Sequence, residues 1–174
     1  MKISLIVGGL VVGAVLGLAG NFVPEGLSLK AAWGISGLGL IVAYVLLAAG
    51  YARKSQDEVA AGFVMMALGE AVLFSGLGYS VEDSQTSFAG GASIYFVALL
   101  LISLPGTFAL WTRAAAAIAG VLFGVAALQI YAGQQVFAST IPHTSPLVGT
   151  AYGILTVAMI GWIIAVLRGE RTVT

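Results

Sequence analysis

The chain has 174 residues, of which 60% are hydrophobic and 8% are charged, and its formal net charge is zero. Soluble domains carry about 25% charged residues, so this composition excludes a water-soluble globular domain, and the neutral balance excludes the basic surface that nucleic-acid binding requires. There is no cysteine and a single histidine, which excludes disulfides, thiolate metal sites and His-rich metal sites. We therefore expect no metal, no cofactor and no nucleic-acid partner.

Six apolar runs are each close to the roughly 20 residues that a helix needs to cross a bilayer. They are Ile3 to Gly20, Ala31 to Ala52, Val59 to Tyr79, Gly91 to Trp111, Ala114 to Ala132, and Leu147 to Leu167. Together they occupy nearly the whole chain and leave no segment for a soluble domain. The sequence predicts an all-α polytopic membrane protein, a six-transmembrane-helix bundle that forms one integral domain over residues 1–174 in a lipid bilayer.

The basic residues predict the orientation of these spans, because cytoplasmic loops of membrane proteins carry an excess of Lys and Arg. With the N-terminus inside, only Lys30 falls on the outer side. The residues on the inner side are Lys2, Arg53, Lys54, Arg113, Arg168 and Arg171. We expect both termini to be cytoplasmic, and we place the protein in a prokaryotic cytoplasmic (inner) membrane.

Regularly spaced glycines mark two of the spans as close-packing helices. Glycine lets two helix backbones approach each other. The first span has Gly9, Gly13 and Gly17 four residues apart, which is a glycine-zipper pattern, and the third has glycines seven apart at Gly62, Gly69 and Gly76. The partner of such a face is either another span or another subunit. A homo-oligomer or an assembly with other membrane subunits is therefore expected.

Pro105 falls inside the fourth predicted span. A proline within a helix removes one hydrogen bond and clashes with the preceding turn, so we expect a kink there. Such a kink either gates a pathway or fits the helix into the bundle.

Glu70 is the one ionisable residue deep inside an apolar run. It lies about eleven residues from one end of its span and hence near the membrane midplane. A charged carboxylate there costs at least about 2.5–3.5 kcal/mol, and no Lys or Arg lies within any span. Glu70 is therefore either protonated and a hydrogen-bond donor, or it faces a wet cavity that admits a proton or a cation. Thr156, Ser103 and Tyr44 are expected at the same depth, which predicts an intramembrane polar cluster.

Gln129 and His143 are placed toward the outer surface, where they form a second polar group. A loop histidine is usually a solvated residue, and the alternative is a metal ligand or a pH sensor. The sequence has none of the common hydrolase or phosphate-loop motifs and no paired intramembrane carboxylates, so we do not expect an enzyme.

Two functions remain open from the sequence. The first is a channel or transporter for a small solute, ion or proton, with Glu70 at the midplane of the pathway. The alternative is a non-catalytic structural subunit or scaffold of a larger membrane protein complex. A polar, water-accessible cavity at the depth of Glu70 favours the first, and a sealed environment favours the second.

Overall fold

The computed structural model describes the backbone of residues 3–171 and the side chains of residues 3–169. Within that part the protein contains six α-helices, each long and apolar enough to cross a membrane. They are α1 (Ile3–Gly20), α2 (Leu27–Ala52), α3 (Asp57–Ser75), α4 (Gln85–Ser103), α5 (Leu110–Tyr131) and α6 (Pro146–Arg171). A short 3₁₀ turn, Gly76–Gly78, extends α3. The predicted all-α bundle of six long apolar helices is confirmed.

The helix boundaries agree with the sequence prediction at α1 and differ most at α4. The fourth span was predicted at Gly91 to Trp111, but α4 runs from Gln85 to Ser103. The polar residues before Gly91 are helical, because their side chains lie at the edge of the bundle and remain partly exposed.

The expected kink at Pro105 is wrong, because Pro105 follows the end of α4 instead of lying inside a helix. Leu104 still has helical backbone angles and donates to the carbonyl oxygen of Leu100, but Pro105 has no N–H with which to continue the hydrogen bonds of the helix. The terminal carbonyl groups of α4 are instead satisfied by the side chain of Arg113. Its guanidinium donates to the carbonyl oxygens of Ser103 and Leu104, each at 2.7 Å. A cation at a helix C-terminus also interacts favourably with the helix dipole.

The helices form a closed ring in chain order. Each helix packs against the next, and α6 returns to α1, although this last pair contact each other less than any pair adjacent in sequence. The two short links, residues 53–56 and 104–109, lie at one end, where Thr107 donates to Gln56 at 3.4 Å. We call this the terminal end, because α1 begins and α6 ends there, and we call the opposite end the loop end.

The regularly spaced glycines lie between neighbouring helices of the same chain. A Cβ added to Gly9 would be 2.4 Å from the carbonyl oxygen of Gly39 on α2, and one added to Gly13 would be 2.3 Å from Leu40. Gly17 faces Ser36 of α2 in the same way. In α3, the atoms added at Gly62 and Gly69 would meet α4, and one added at Gly76 in the following 3₁₀ turn would meet Ser87 of α4 and Ser84 before it. These faces are therefore occupied within the bundle.

The interior of the ring is filled at the terminal end by an aromatic cluster. We call it the aromatic core, and it consists of Tyr44, Tyr51, Phe63, Phe108 and Trp162. Phe63 and Trp162 are fully buried and meet edge to face with ring centroids 5.1 Å apart. A second group of rings fills the α4–α5–α6 side of the loop-end half. The α1–α2–α3–α6 side of that half is not filled, and the candidate site lies there.

Candidate functional site

Glu70 lies in the middle of α3 and points into the ring, with 8% of its surface exposed. The hydroxyl group of Tyr95 on α4 donates a hydrogen bond to its Oε2. This pairing depends on a close approach of α3 to α4. A Cβ added to Gly69 would be 2.7 Å from the Tyr95 ring, and one added to Gly91 would be 2.9 Å from the carbonyl oxygen of Gly69. Two glycines in contact thus bring the tyrosine to the carboxyl group.

The other carboxyl oxygen of Glu70 faces α2. A Cβ added to Gly37 would be 3.3 Å from Oε1 and 3.4 Å from the Phe74 ring. The hydroxyl group of Tyr44 faces the Glu70–Tyr95 pair but makes no hydrogen bond of acceptable geometry. No side chain of α2 therefore donates a hydrogen bond to Oε1 of Glu70.

A cavity of about 120 Å³ begins at Glu70 and extends to the loop end. Its deep part is lined by α1, α2, α3 and α6, including Gly13, Leu40 and Thr156. At the loop end it reaches Glu25 and Tyr79, whose side chains are exposed. The walls are mainly apolar, with few polar groups, as is usual for small-molecule sites. Since α1 and α6 contact each other least, their seam is the thinnest wall.

Two hydroxyl groups on the cavity wall, and that of Tyr95 beside Glu70, have already used their protons. Ser36 donates to the carbonyl oxygen of Gly13 at 2.8 Å. Thr156 donates to the carbonyl oxygen of Tyr152 at 2.9 Å. Tyr95 donates to Glu70. Each of these groups therefore offers acceptor lone pairs, and no further proton, to a molecule in the cavity.

His143 joins two of the three connections at the loop end. Its side chain is 1% exposed. Nδ1 lies 3.0 Å from the carbonyl oxygen of Ala138, and Nε2 lies 2.9 Å from that of Val23. The ring also meets Trp33 edge to face, at 6.2 Å between centroids. A neutral imidazole has one N–H and donates to one of these carbonyls, whereas the doubly protonated ring donates to both.

Carboxylate and amide side chains complete the connections at this end. Glu25 accepts a hydrogen bond from the backbone N–H of Val81 at 3.0 Å. Gln85 accepts one from Val136 at 2.8 Å. The loops that surround the cavity mouth are therefore fixed to one another by side chains.

The structure brings together some of the predicted polar residues. Glu70 and Thr156 line the same cavity, and Tyr44 lies beside the Glu70–Tyr95 pair. Ser103 does not belong with them, because it lies at the terminal end of α4, about two turns and roughly 12 Å along the helix from Tyr95. Its hydroxyl group donates to the carbonyl oxygen of Leu100.

The two residues of the predicted outer polar group have different hydrogen-bond partners. The hydrogen bonds of the His143 ring go to Ala138 and Val23. Gln129 lies in the last turn of α5, where its backbone carbonyl accepts from Gln134 at 2.9 Å. His143 is buried and contacts the backbone of two loops. It is therefore not the solvated residue that a lone loop histidine usually is.

Sequence reasoning missed Tyr95, and the reason is the misplaced fourth span. With that span at Gly91 to Trp111, its centre falls near Ser103. With the observed bounds Gln85–Ser103, the centre of α4 falls beside Tyr95. Reading Pro105 as a helix terminator would have moved the expected partner of Glu70 from the serine to the tyrosine.

Within the described residues, no group of three or more His, Cys, Asp or Glu side chains is placed to hold a metal ion. No protein-family model matches the chain, and no curated protein or solved structure matches it significantly. The geometry of the bundle is therefore the basis for assigning a function.

Proposed function

We propose that the chain is a membrane transporter or gated channel for a small solute, ion or proton, with Glu70 as its contact group near the midplane. The observation that carries this proposal is the cavity that links the Glu70 carboxyl group to the exposed loop end. A carboxyl group is costly at this depth, and a scaffold would have no need of a cavity that reaches it.

The closed terminal end favours a protein that changes conformation over a permanently open pore. The aromatic core lies between the cavity floor and the terminal end, and Phe63 and Trp162 in it are fully buried. A solute that reached Glu70 from the loop end would pass further only after these rings moved. The described state corresponds to one open to the loop side.

We further propose that the terminal end faces the cytoplasm of a prokaryotic cell. Arg53, Lys54, Arg113 and Arg168 belong to this end, whereas Lys30 lies near the loop end. Lys2, and the side chain of Arg171, lie outside the described residues. The positive-inside rule then places the cavity mouth on the outer side of the cytoplasmic membrane.

The test is solute flux into proteoliposomes that contain the purified protein. The probes are a proton gradient read with an internal pH-sensitive dye, and osmotic shrinkage in glycerol, urea, acetate and methylammonium. We expect flux of at least one probe above that of empty liposomes. Glu70→Gln is expected to abolish this flux without changing expression or oligomer size. Glu58→Gln, at an exposed position in the first turn of α3, is the matched control and is expected to retain it.

The competing hypothesis is the non-catalytic subunit or scaffold of a larger membrane complex. It predicts no flux of any probe and a stoichiometric partner after purification from native lipid in mild detergent. That pair of results would replace the transporter proposal. Flux that is unchanged in Glu70→Gln would contradict the role of the carboxyl group.

A further inference from the structure

The cavity has few charged groups, and their positions separate its mouth from its floor. Among the described residues that line it, only Glu25, Lys30 and Glu70 are charged. Glu25 is exposed at the loop end and is held by Val81. Lys30 lies about two turns, or roughly 10 Å, from Gly37 along α2, and Gly37 is the α2 residue beside Glu70. The floor therefore carries one acidic group and no basic one.

The Glu70 carboxyl group and the hydroxyl groups of Ser36 and Thr156 require a donor from the ligand. Oε2 of Glu70 receives the Tyr95 proton, and Oε1 is oriented toward α2, where no side chain donates to it. The hydroxyl groups of Ser36 and Thr156 donate to backbone carbonyls. Besides the hydroxyl groups of Tyr44 and Tyr152, what remains are lone pairs and a carboxyl group that is more than nine-tenths buried. A ligand that offers only acceptors would leave these groups unpaired, which costs about 1–3 kcal/mol for each buried group.

The remaining wall of the cavity determines the polarity and size of the ligand that fits. Leu40, Leu155 and Met159 give an apolar surface, and Phe74 and Tyr152 add aromatic rings. Aromatic faces attract a cation that lies within about 6 Å of the ring centre. A cavity of about 150 Å³ with apolar walls holds a benzene molecule, so a cavity of about 120 Å³ accommodates a molecule of about five to six non-hydrogen atoms.

From these three observations we infer that the cavity binds a small protonated amine, whose ammonium group donates to Oε1 of Glu70 and whose apolar body contacts the aromatic and aliphatic wall. This inference names the ligand class of the proposed transport site and depends on the same cavity. The ammonium supplies the positive charge that the chain itself does not place beside Glu70. It also supplies the N–H donors that the hydroxyl groups of Ser36, Thr156 and Tyr95 no longer offer.

The test compares three ligands of similar size and different charge. They are cyclopentylamine, which is cationic at neutral pH, cyclopentanol, which is neutral, and cyclobutanecarboxylate, which is anionic. Binding is measured by titration calorimetry on the purified full chain in phosphatidylglycerol nanodiscs. We expect the amine to bind most tightly and the carboxylate to bind least. Glu70→Gln is expected to weaken amine binding by about tenfold or more, the loss for a hydrogen bond to a charged group, and to change cyclopentanol binding by less than about twofold.

Glu25→Gln is the matched control at the cavity mouth. Glutamine keeps an oxygen that accepts from Val81, so the loop contact is retained. We expect amine binding to change by less than about twofold. Amine and alcohol of equal affinity in the wild type would overturn the inference. So would tighter binding of the carboxylate, or a loss of amine binding in Glu25→Gln together with none in Glu70→Gln.

An ammonium group is also present in the phosphatidylethanolamine headgroup, which could enter between α1 and α6. Nanodiscs that contain this lipid separate the two sources. Weaker cyclopentylamine binding in them identifies a headgroup competitor, and unchanged binding identifies a free amine; both results keep ammonium recognition. Amine binding without flux of any probe would overturn the transport proposal alone. Flux of another probe without amine binding would overturn this inference alone.

Discussion

The terminal half and the loop-end half of the bundle are built from the same six helices, but they fill the space between them differently. At the terminal end, large aromatic side chains such as Phe63 and Trp162 meet in the centre and are fully buried. At the loop end, small residues of α1 and α2, including Gly13, Gly17 and Ser36, border a cavity. Side-chain volume along each helix therefore decides where a ring of helices is closed and where it is open.

The polar groups follow the same division. Glu70, Tyr95 and Tyr44 lie where the aromatic core gives way to the cavity. The carboxyl group is thus sheltered by protein on one side and reached by the cavity on the other. Variants that alter one half and leave the other intact test this division, and the expected change in the free energy of unfolding decreases from the first variant to the last.

The largest change is expected from Trp162→Ala, which removes the centre of the aromatic core. The side chain is fully buried against Phe63 and Tyr44, and truncation of a buried aromatic residue costs about 3–5 kcal/mol. Unfolding in a detergent titration measures this loss. Trp111→Ala is the control, because Trp111 is 46% exposed, and we expect it to cost less than about 1 kcal/mol. Equal costs for the two variants would contradict a packed terminal half.

The next change is expected from Gly9→Ala at the contact of α1 with α2. The new Cβ would lie 2.4 Å from the carbonyl oxygen of Gly39, so a backbone must shift. Overpacking of this kind costs about 1–3 kcal/mol. Gly8→Ala on the same helix is the control, because nothing lies within 4 Å of its added Cβ. Thermal unfolding of the two variants in the same detergent checks the difference, and a stable Gly9→Ala protein would show that this contact is looser than described.

A smaller and more local effect is expected from His143→Ala at the loop end. The variant loses the ring contacts to Val23 and Ala138, and hydrogen bonds contribute about 1 kcal/mol each, so we expect a loss of about 1–2 kcal/mol. Hydrogen exchange is expected to rise in residues 21–26 and 137–144 and to stay unchanged in the aromatic core. Increased exchange throughout the bundle would show that the two halves are not independent.

The smallest change in stability is expected from Thr156→Phe, which fills the cavity. Thr156 lines an open space and donates only to its own helix, so the variant is expected to unfold within about 1 kcal/mol of the wild type. Its cyclopentylamine binding is expected to be lost. Val157→Phe is the control, because Val157 is 45% exposed and points out of the ring. Unchanged amine binding in Thr156→Phe would place the ligand outside this cavity.

The sequence was sufficient for the coarse architecture, because six runs of bilayer length predict six helices with little ambiguity. It also singled out Glu70, since a carboxyl group in an apolar run is conspicuous. The partner of Glu70 was not predictable in the same way. It depends on where α4 ends and on which face of α4 turns toward α3, and hydropathy determines neither. Gly69 and Gly91 hold the relevant face, but two of 24 glycines give no signal by themselves.

The position and extent of the cavity were also not predictable from the sequence. The cavity forms because side chains do not fill the space where α1, α2, α3 and α6 meet. A local sequence pattern describes one helix and does not show how much space four helices leave between them. Thr156 lines the same cavity as Glu70, because α6 has nearly the predicted bounds. Ser103 does not, because the bounds of α4 differ from the predicted ones.

The most direct test of the central claim is the side from which the cavity floor is reached. The chain has no cysteine, so single-cysteine variants can be labelled with a membrane-impermeant thiol reagent without background. Ser139→Cys marks the loop end, Lys54→Cys marks the terminal end, and Thr156→Cys reports on the floor. We predict that Thr156→Cys is labelled from the same side as Ser139→Cys and is protected from the side that labels Lys54→Cys. Labelling of Thr156→Cys from the Lys54 side, or from neither side, would contradict a cavity open to the loop end with Glu70 at its floor.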